Sequence, residues 1–274
     1  MKKFFAMLLA LTLVLSLAAC GGSKKEEPKQ EETKTEETTP ESDAAYIEGN
    51  GKLIIGYTVY EPMNYTDENG VFTGFDTELA EAVCAKLGVT PKFQEIVWET
   101  KEVELNASTI DCVWNGMTIN EERLANMEIT DPYVVNAQVV VMLKDAAYEN
   151  TASLIGKNVC AEQGSAGQTT IEDDANLAQA TFVPKTVQTD CLMEVAAGTC
   201  DAAVLDITLA NAMIGEGTDY ENLVIVDQLA EEFYGVAFRK GSDAAAATNA
   251  AFEALIADGT MAALAEKYSL TLAE

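Results

Sequence analysis

The sequence contains no histidine at all. That removes the side chain that most often serves as a general base at neutral pH and most often binds zinc. Arginine occurs only as Arg123 and Arg239. Where guanidinium groups are this scarce, each invites a specific role. Bidentate recognition of a carboxylate is what the planar fork does best. Positive charge is thin throughout: 17 Lys and Arg stand against 45 Asp and Glu, a formal net charge of −28. Such a surface repels nucleic acid and anionic lipid, so no nucleic-acid partner is expected. The cysteines, Cys20, Cys84, Cys112, Cys160, Cys191 and Cys200, form no CxxC pair. Neither a metal framework nor a redox motif is signalled, and no metal or cofactor is expected. Cys84, Cys112 and Cys160 fall in apolar runs and read as small core residues. Cys191 and Cys200 are separated by a helical pattern, about 13 Å along a helix, which is too far for a bridge. Free thiols are expected.

The chain starts with a positive Met1-Lys2-Lys3, followed by Phe4 to Ala19, apolar apart from Thr12 and Ser16. This run is short for a membrane span and has the layout of a secretory signal, predicted over residues 1–19. It ends in Leu17-Ala18-Ala19-Cys20 and two glycines. That tetrapeptide resembles a lipobox, in which a signal peptidase cuts before a lipidated cysteine; the competing role is an ordinary signal with a chance cysteine. Gly21 to about Asp43 is Lys, Glu, Thr, Pro and Ser without a large apolar residue. It has too little to bury to offset its ordering entropy, so residues 20–45 are expected to form a lipid anchor and disordered tether. A coil of that length spans roughly 25–30 Å. The predicted location is the outer face of the cell membrane.

The remaining roughly 225 residues suit one large domain or two lobes of about 110. Lys52 to Tyr57 reads as a buried strand, and Phe75 to Leu87 as an amphipathic helix capped by Gly88. Strands are predicted over Lys92–Val97 and Thr109–Val113, the latter ending in Asn115-Gly116. In the second half, strands are predicted over Gly156–Ala161, near Val183, over Asp201–Leu205 and over Phe233–Phe238. Helices are predicted over Thr189–Ala197 and, with a break near Asp258-Gly259, over Ala244–Tyr268. Alternating strands and helices mean α/β architecture with mostly parallel sheets. The segments TIDCVWNGMTI and TCDAAVLDITL echo each other: an aspartate, a short apolar strand, then polar groups at its carboxyl end. Two such lobes with facing strand ends make a cleft, where open α/β sheets bind ligands. Crossings near Asn136–Val140 and Glu231–Tyr234 are expected to form a hinge. Lobe 1 is then 46–136 plus 232–274, and lobe 2 is 137–231.

Four segments carry a resemblance to the extracellular solute-binding proteins (family 3 type) of polar amino acid ABC transporters. GFDTELA from Gly74 resembles the family's GFD-x-D/E-L-A helix start. DCVWNGMTINEER from Asp111 to Arg123 resembles its D-A-x-x-x-x-M/L-T/S-I-T-x-x-R block. Gln163-Gly164-Ser165 resembles the second-lobe turn, and Ala257-Asp258-Gly259-Thr260 with Lys267-Tyr268 resembles the terminal helix. The resemblance implies a two-lobed, periplasmic-binding-protein-like (type II) fold. Residue chemistry points the same way. A free amino acid presents a carboxylate and an ammonium. Arg123 suits the first and Asp206, at a strand end of the other lobe, suits the second. The competing roles are a surface pair of Arg123 with Glu121 or Glu122, and a helix cap for Asp206. The resemblance further implies contacts from Asn115, Gly116 and Thr118, from the turn Gly164, Ser165 and Ala166, and aromatic walls from Tyr60 and Trp98. Trp98 could equally be ordinary core.

One departure bears on specificity. Thr58 stands where the family often has an aspartate that favours basic side chains. Glu61 is a partial substitute, and Met63 reads as an adaptable wall. The expectation is a neutral, polar or sulfur-containing amino acid, cystine among them. It is delivered to the permease of an ABC importer by a monomer that closes about its hinge, without catalysis. The alternatives are a ligand sensor for a membrane receptor and, less favoured, a dehydratase-like enzyme on the same fold.

Overall fold

The computed structural model describes residues 42–274. The signal, Cys20 and the tether up to residue 41 lie outside the described residues. Helix α1 (Asp43–Asn50) begins inside the segment expected to be coil, so that expectation fails from Asp43 onward. Its stability comes from partners that composition does not reveal. The Ser42 hydroxyl accepts from the Ala45 N–H at 2.9 Å and donates to Asp243 at 2.6 Å. Asp43 pairs with Arg239 at 3.1 Å, and Ile47 is buried.

The first half supplies β1 (Lys52–Tyr57), the small hairpin β2 (Tyr65–Thr66) and β3 (Phe72–Thr73), α2 (Phe75–Leu87) and β4 (Thr90–Glu95). It continues through α3 (Lys101–Asn106), β5 (Cys112–Thr118), α4 (Glu121–Asn126) and β6 (Met127–Ile129). Helix α2 buries Phe75, Leu79, Ala80, Val83 and Cys84 and stops at Gly88 in the left-handed region (φ 73°). Strand β5 starts later than expected and runs to Thr118, with every residue buried. Asn115 and Gly116 therefore lie within the strand, not beyond it. Gly116 has φ +55°, and a Cβ there would come within 2.8 Å of the Tyr60 ring.

Strand β7 (Val134–Leu143) leads into the second half: β8 (Asn158–Glu162), α5 (Ala166–Asp173), β9 (Thr181–Lys185), α6 (Gln188–Ala196), β10 (Ala202–Asp206) and α7 (Ile207–Met213). Strand β11 (Leu223–Arg239) returns, and α8 (Ala244–Ala257) and α9 (Thr260–Tyr268) pack back on α2. Apart from the β2–β3 hairpin, the strands form one nine-stranded sheet in the order β4-β1-β5-β11-β7-β10-β8-β9, with β6 beside β11. Both ends are parallel, β4-β1-β5 and β10-β8-β9. The join is antiparallel. β11 pairs with β7 from Leu223 to Tyr234 and with β5 from Tyr234 to Phe238. At 17 residues, β11 is far longer than the predicted Phe233–Phe238. Its first part holds a short apolar run, Leu223–Val226, that the expected strand leaves out, followed by Asp227–Glu232, which has none; β7 alone gives this part a strand partner.

The five described cysteines are free and buried. Among the described residues no helix is long and apolar enough to cross a membrane, and no group of three or more His, Cys, Asp or Glu is arranged to hold a metal. Met63, expected as a wall, is fully buried in the main core beside Phe75 and Leu79. Burial of each such side chain contributes about 1.5–3 kcal/mol. Truncating Leu79, which is 0% exposed, is expected to cost about 2–5 kcal/mol through lost transfer energy and a residual cavity. Urea unfolding of Leu79→Ala checks this; a loss under about 1 kcal/mol, the size of a surface substitution, would contradict it.

Candidate ligand-binding site

Arg123 sits in the first turn of α4, positioned by Asn120, whose side chain accepts the Arg123 N–H at 2.8 Å. The guanidinium is buried. Nη1 donates to the Thr118 carbonyl at 2.7 Å and Nη2 to the Gly164 carbonyl at 3.4 Å. It lies 5.9 Å from the Trp98 ring centre. Among the described residues it has no carboxylate within 4.0 Å, and Glu121 and Glu122 point to solvent. The surface pair considered above is therefore not made. Burial lowers its pKa, while the charges of Glu232 and Asp206 act the other way.

Asp206 ends β10 and is also buried. Its Oδ1 accepts from Asn136 Nδ2 at 2.7 Å and Gln138 Nε2 at 2.5 Å, and its Oδ2 accepts from Gln188 Nε2. It stands at the N-cap of α7 yet makes no capping hydrogen bond with its side chain. Asn136 does that work instead, accepting from the Thr208 N–H and hydroxyl at 3.2 and 2.8 Å. Glu232 of β11 lies behind. It accepts from Asn136 (2.6 Å), Gln138 (2.9 Å) and the Thr118 hydroxyl (2.8 Å). Burial, followed by the Asp206 charge, pushes Glu232 up to about 7; burial raises Asp206 as well.

A small, nearly filled cavity lies between these charges. Tyr60, Trp98, Asn115, Gly116, Thr118, Arg123, Ser165, Ala166 and Asp206 line it, together with Glu162 and Gln188. Gly164, the remaining residue expected at the site, is at its edge. Its carbonyl accepts from Lys101 Nζ at 3.0 Å as well as from Arg123. Gln163 reaches Glu99 at 2.7 Å, so the two halves of the chain touch beside the cavity. Trp98 serves as core and as wall, because one face packs in a cluster with Leu105 and Val113.

A family model for bacterial extracellular solute-binding proteins, family 3, matches residues 53–271. The chain belongs to this family. It is 27% identical over 274 residues to the arginine-binding extracellular protein ArtP of Bacillus subtilis, covering 98% of both chains. It is 26% identical over 228 residues to the L-cystine-binding protein TcyJ of Escherichia coli, covering 81% of this chain and 84% of that protein. A crystal structure of a variant of ArgBP from T. maritima superposes with a TM-score of 0.76 at 31% identity, covering 82% of this chain and 98% of the other. As a member, the chain has the two-lobed α/β fold of the amino acid-binding proteins.

Several groups of this solute-binding protein are already engaged internally, which limits what they offer a ligand. The Asn115 amide bonds Thr58 and Asn64. The Gly116 N–H donates to Asp76 at 2.6 Å. The Thr118 hydroxyl donates to Glu232, keeping only acceptor capacity. Ser165 caps α5 by accepting from Gln168 at 3.3 Å. Thr58 is buried against Asn115 and does not line the cavity; nor does Glu61. Glu162 and Gln188 were missed from sequence. Glu162 carries the signal that singled out Asp206, an acid at the carboxyl end of a buried strand. Gln188, opening a helix, carries none.

Glu232 makes a pH prediction. Its folded pKa lies above its unfolded value of about 4.3. The folded chain therefore holds a proton that the unfolded chain loses, and this stabilisation declines as pH rises from roughly 4.5 to 7, by up to about 1.4 kcal/mol per unit. Glu232→Gln, which mimics the protonated form, is expected to flatten that decline. Chemical denaturation from pH 4.5 to 8 measures it, and an unchanged slope would refute the assignment.

Proposed function

We propose that this chain is the substrate-binding component of an ABC importer and that it captures a free amino acid between its lobes. The observation that carries this reading, made among the described residues, is a buried guanidinium with no carboxylate within 4.0 Å, facing the same cavity as a buried carboxylate that accepts from amides and has no cation within 4.0 Å. Each charge has been removed from water at a cost of several kcal/mol that these neutral contacts offset only in part. A zwitterion supplies both missing counter-charges: its carboxylate to Arg123, its ammonium to Asp206. Membership of the family, and relatives whose names specify arginine and L-cystine binding, support the same class of ligand.

The proposed mechanism is closure about β7 and β11. Lobe 1, residues 46–136 and 232–274, binds first through Arg123 and the Trp98 and Tyr60 rings. Lobe 2, residues 137–231, follows through Asp206 and the Gly164–Ala166 turn. Only the closed arrangement lets one small molecule touch both lobes, so the ligand's differential affinity is what drives closure. The ligand leaves unchanged, passed to a membrane permease. Tethering at the cell surface through Cys20 is part of the proposal and rests on the N-terminal sequence.

Thermal unfolding against the twenty amino acids and cystine tests this. A ligand at about a hundred times its Kd that binds only the folded state adds roughly 2.7 kcal/mol. One amino acid or a related group is expected to raise Tm and to be recovered chemically intact. Arg123→Ala or Asp206→Ala is expected to weaken binding by about 2–5 kcal/mol. No shift with any of them, in a well-folded sample, would refute the reading.

A further inference from the structure

Asp206 is not the only acid facing the cavity. Glu162, the last residue of β8, lines it with 3% of its surface exposed. Its Oε1 is fully buried and has no hydrogen-bond partner among the described residues. The two cations near it are occupied elsewhere. Arg123 donates to the carbonyls of Thr118 and Gly164. Lys101 donates to the carbonyls of Trp98 (3.3 Å) and Gly164 (3.0 Å) and lies 4.9 Å from the Trp98 ring centre. Neither stands within 4.0 Å of the Glu162 carboxylate.

A buried carboxyl oxygen without a donor is costly, and the cost is relieved by whatever brings a donor to it. The ligand's two backbone charges do not serve, because Arg123 and Asp206 already answer them. What remains is the ligand's side chain. We propose that Glu162 is a specificity-determining residue that pairs with a cationic nitrogen on that side chain, so that the preferred ligand is a basic amino acid. This rests on the amino acid reading above and reverses the neutral preference inferred from Thr58. The charges lining the cavity agree: Arg123 faces two carboxylates, Asp206 and Glu162. A zwitterion with a further positive charge matches each acid with a cation and Arg123 with a carboxylate, whereas a neutral side chain leaves Glu162 unpaired. A site built around a charged partner discriminates strongly against ligands that lack it.

The test is calorimetric titration of the purified full-length chain with L-arginine, L-lysine and L-glutamine, for the wild type, Glu162→Gln and Arg123→Ala. Glu162→Gln keeps the shape of the side chain while removing its charge, so folding is expected to survive; Glu162→Asp serves as a conservative check. The wild type is expected to bind at least one basic ligand ten or more times tighter than L-glutamine. Glu162→Gln is expected to shrink that ratio at least tenfold, with Glu162→Asp restoring part of it. Arg123→Ala is expected to weaken all three ligands together. A wild type that prefers glutamine, or a ratio unchanged in Glu162→Gln while binding still depends on Arg123, overturns this inference and leaves the amino acid reading standing. If none of the three ligands and no other amino acid binds the wild type, both fall.

Discussion

The antiparallel pairing of β7 with β11 is the constraint on which the rest of the molecule depends. These two strands run from one parallel block of the sheet into the other. They also bring three polar residues to the point of crossing. Asn136 and Glu232 are register partners, and Gln138 lies opposite Ala230. Their side chains meet Asp206 from one block and Thr118 from the other. Backbone pairing thus fixes a polar network between the two lobes. A partly satisfied network in a low-dielectric setting would be heavily destabilising, which favours a single well-defined arrangement.

From that arrangement the electrostatics of the site follow. Arg123 is held by carbonyl oxygens and Asp206 by amide nitrogens. Neutral dipoles fix each group in place without cancelling its charge, so each remains available to a partner between them. Glu232 lies behind the network, and burial beside Asp206 raises its affinity for protons. A carboxyl that keeps its proton near neutrality adds less negative charge next to Asp206, and Asp206 remains free to receive a cation. Glu162 lines the same cavity, but among the described residues nothing donates to its Oε1. Its environment is the least satisfied of the acids in the cavity.

Legibility from sequence varied with how local the physics was. The α2 helix was read almost residue for residue, because its 3,4,3 apolar spacing and terminal glycine are written in adjacent positions. The break between α8 and α9 was legible for the same reason, in Asp258-Gly259. The long first part of β11 was legible only at Leu223–Val226, an apolar run outside the expected strand; Asp227 to Glu232 has no such run and is a strand only because β7 pairs with it. The start of α1 at Asp43 was missed because Asp243 and Arg239, nearly two hundred residues away, hold it. Met63 was misjudged as a wall for a related reason: its side chain has no sign of direction in the sequence.

The sequence by itself determined the class of the protein. Two scarce arginines, one of them closing the Asp111–Arg123 block, and an acid ending an apolar strand named Arg123 and Asp206 as charges of interest. Composition alone removed histidine chemistry from consideration and argued against a nucleic-acid ligand. Tertiary structure decided what those charges face. Only the folded chain puts Arg123 out of reach of Glu121 and Glu122, frees Asp206 from capping α7, buries Thr58 against Asn115 and turns Glu162 into the cavity. Distances between residues remote in sequence are set by strand pairing and packing across the whole sheet. No local pattern encodes them.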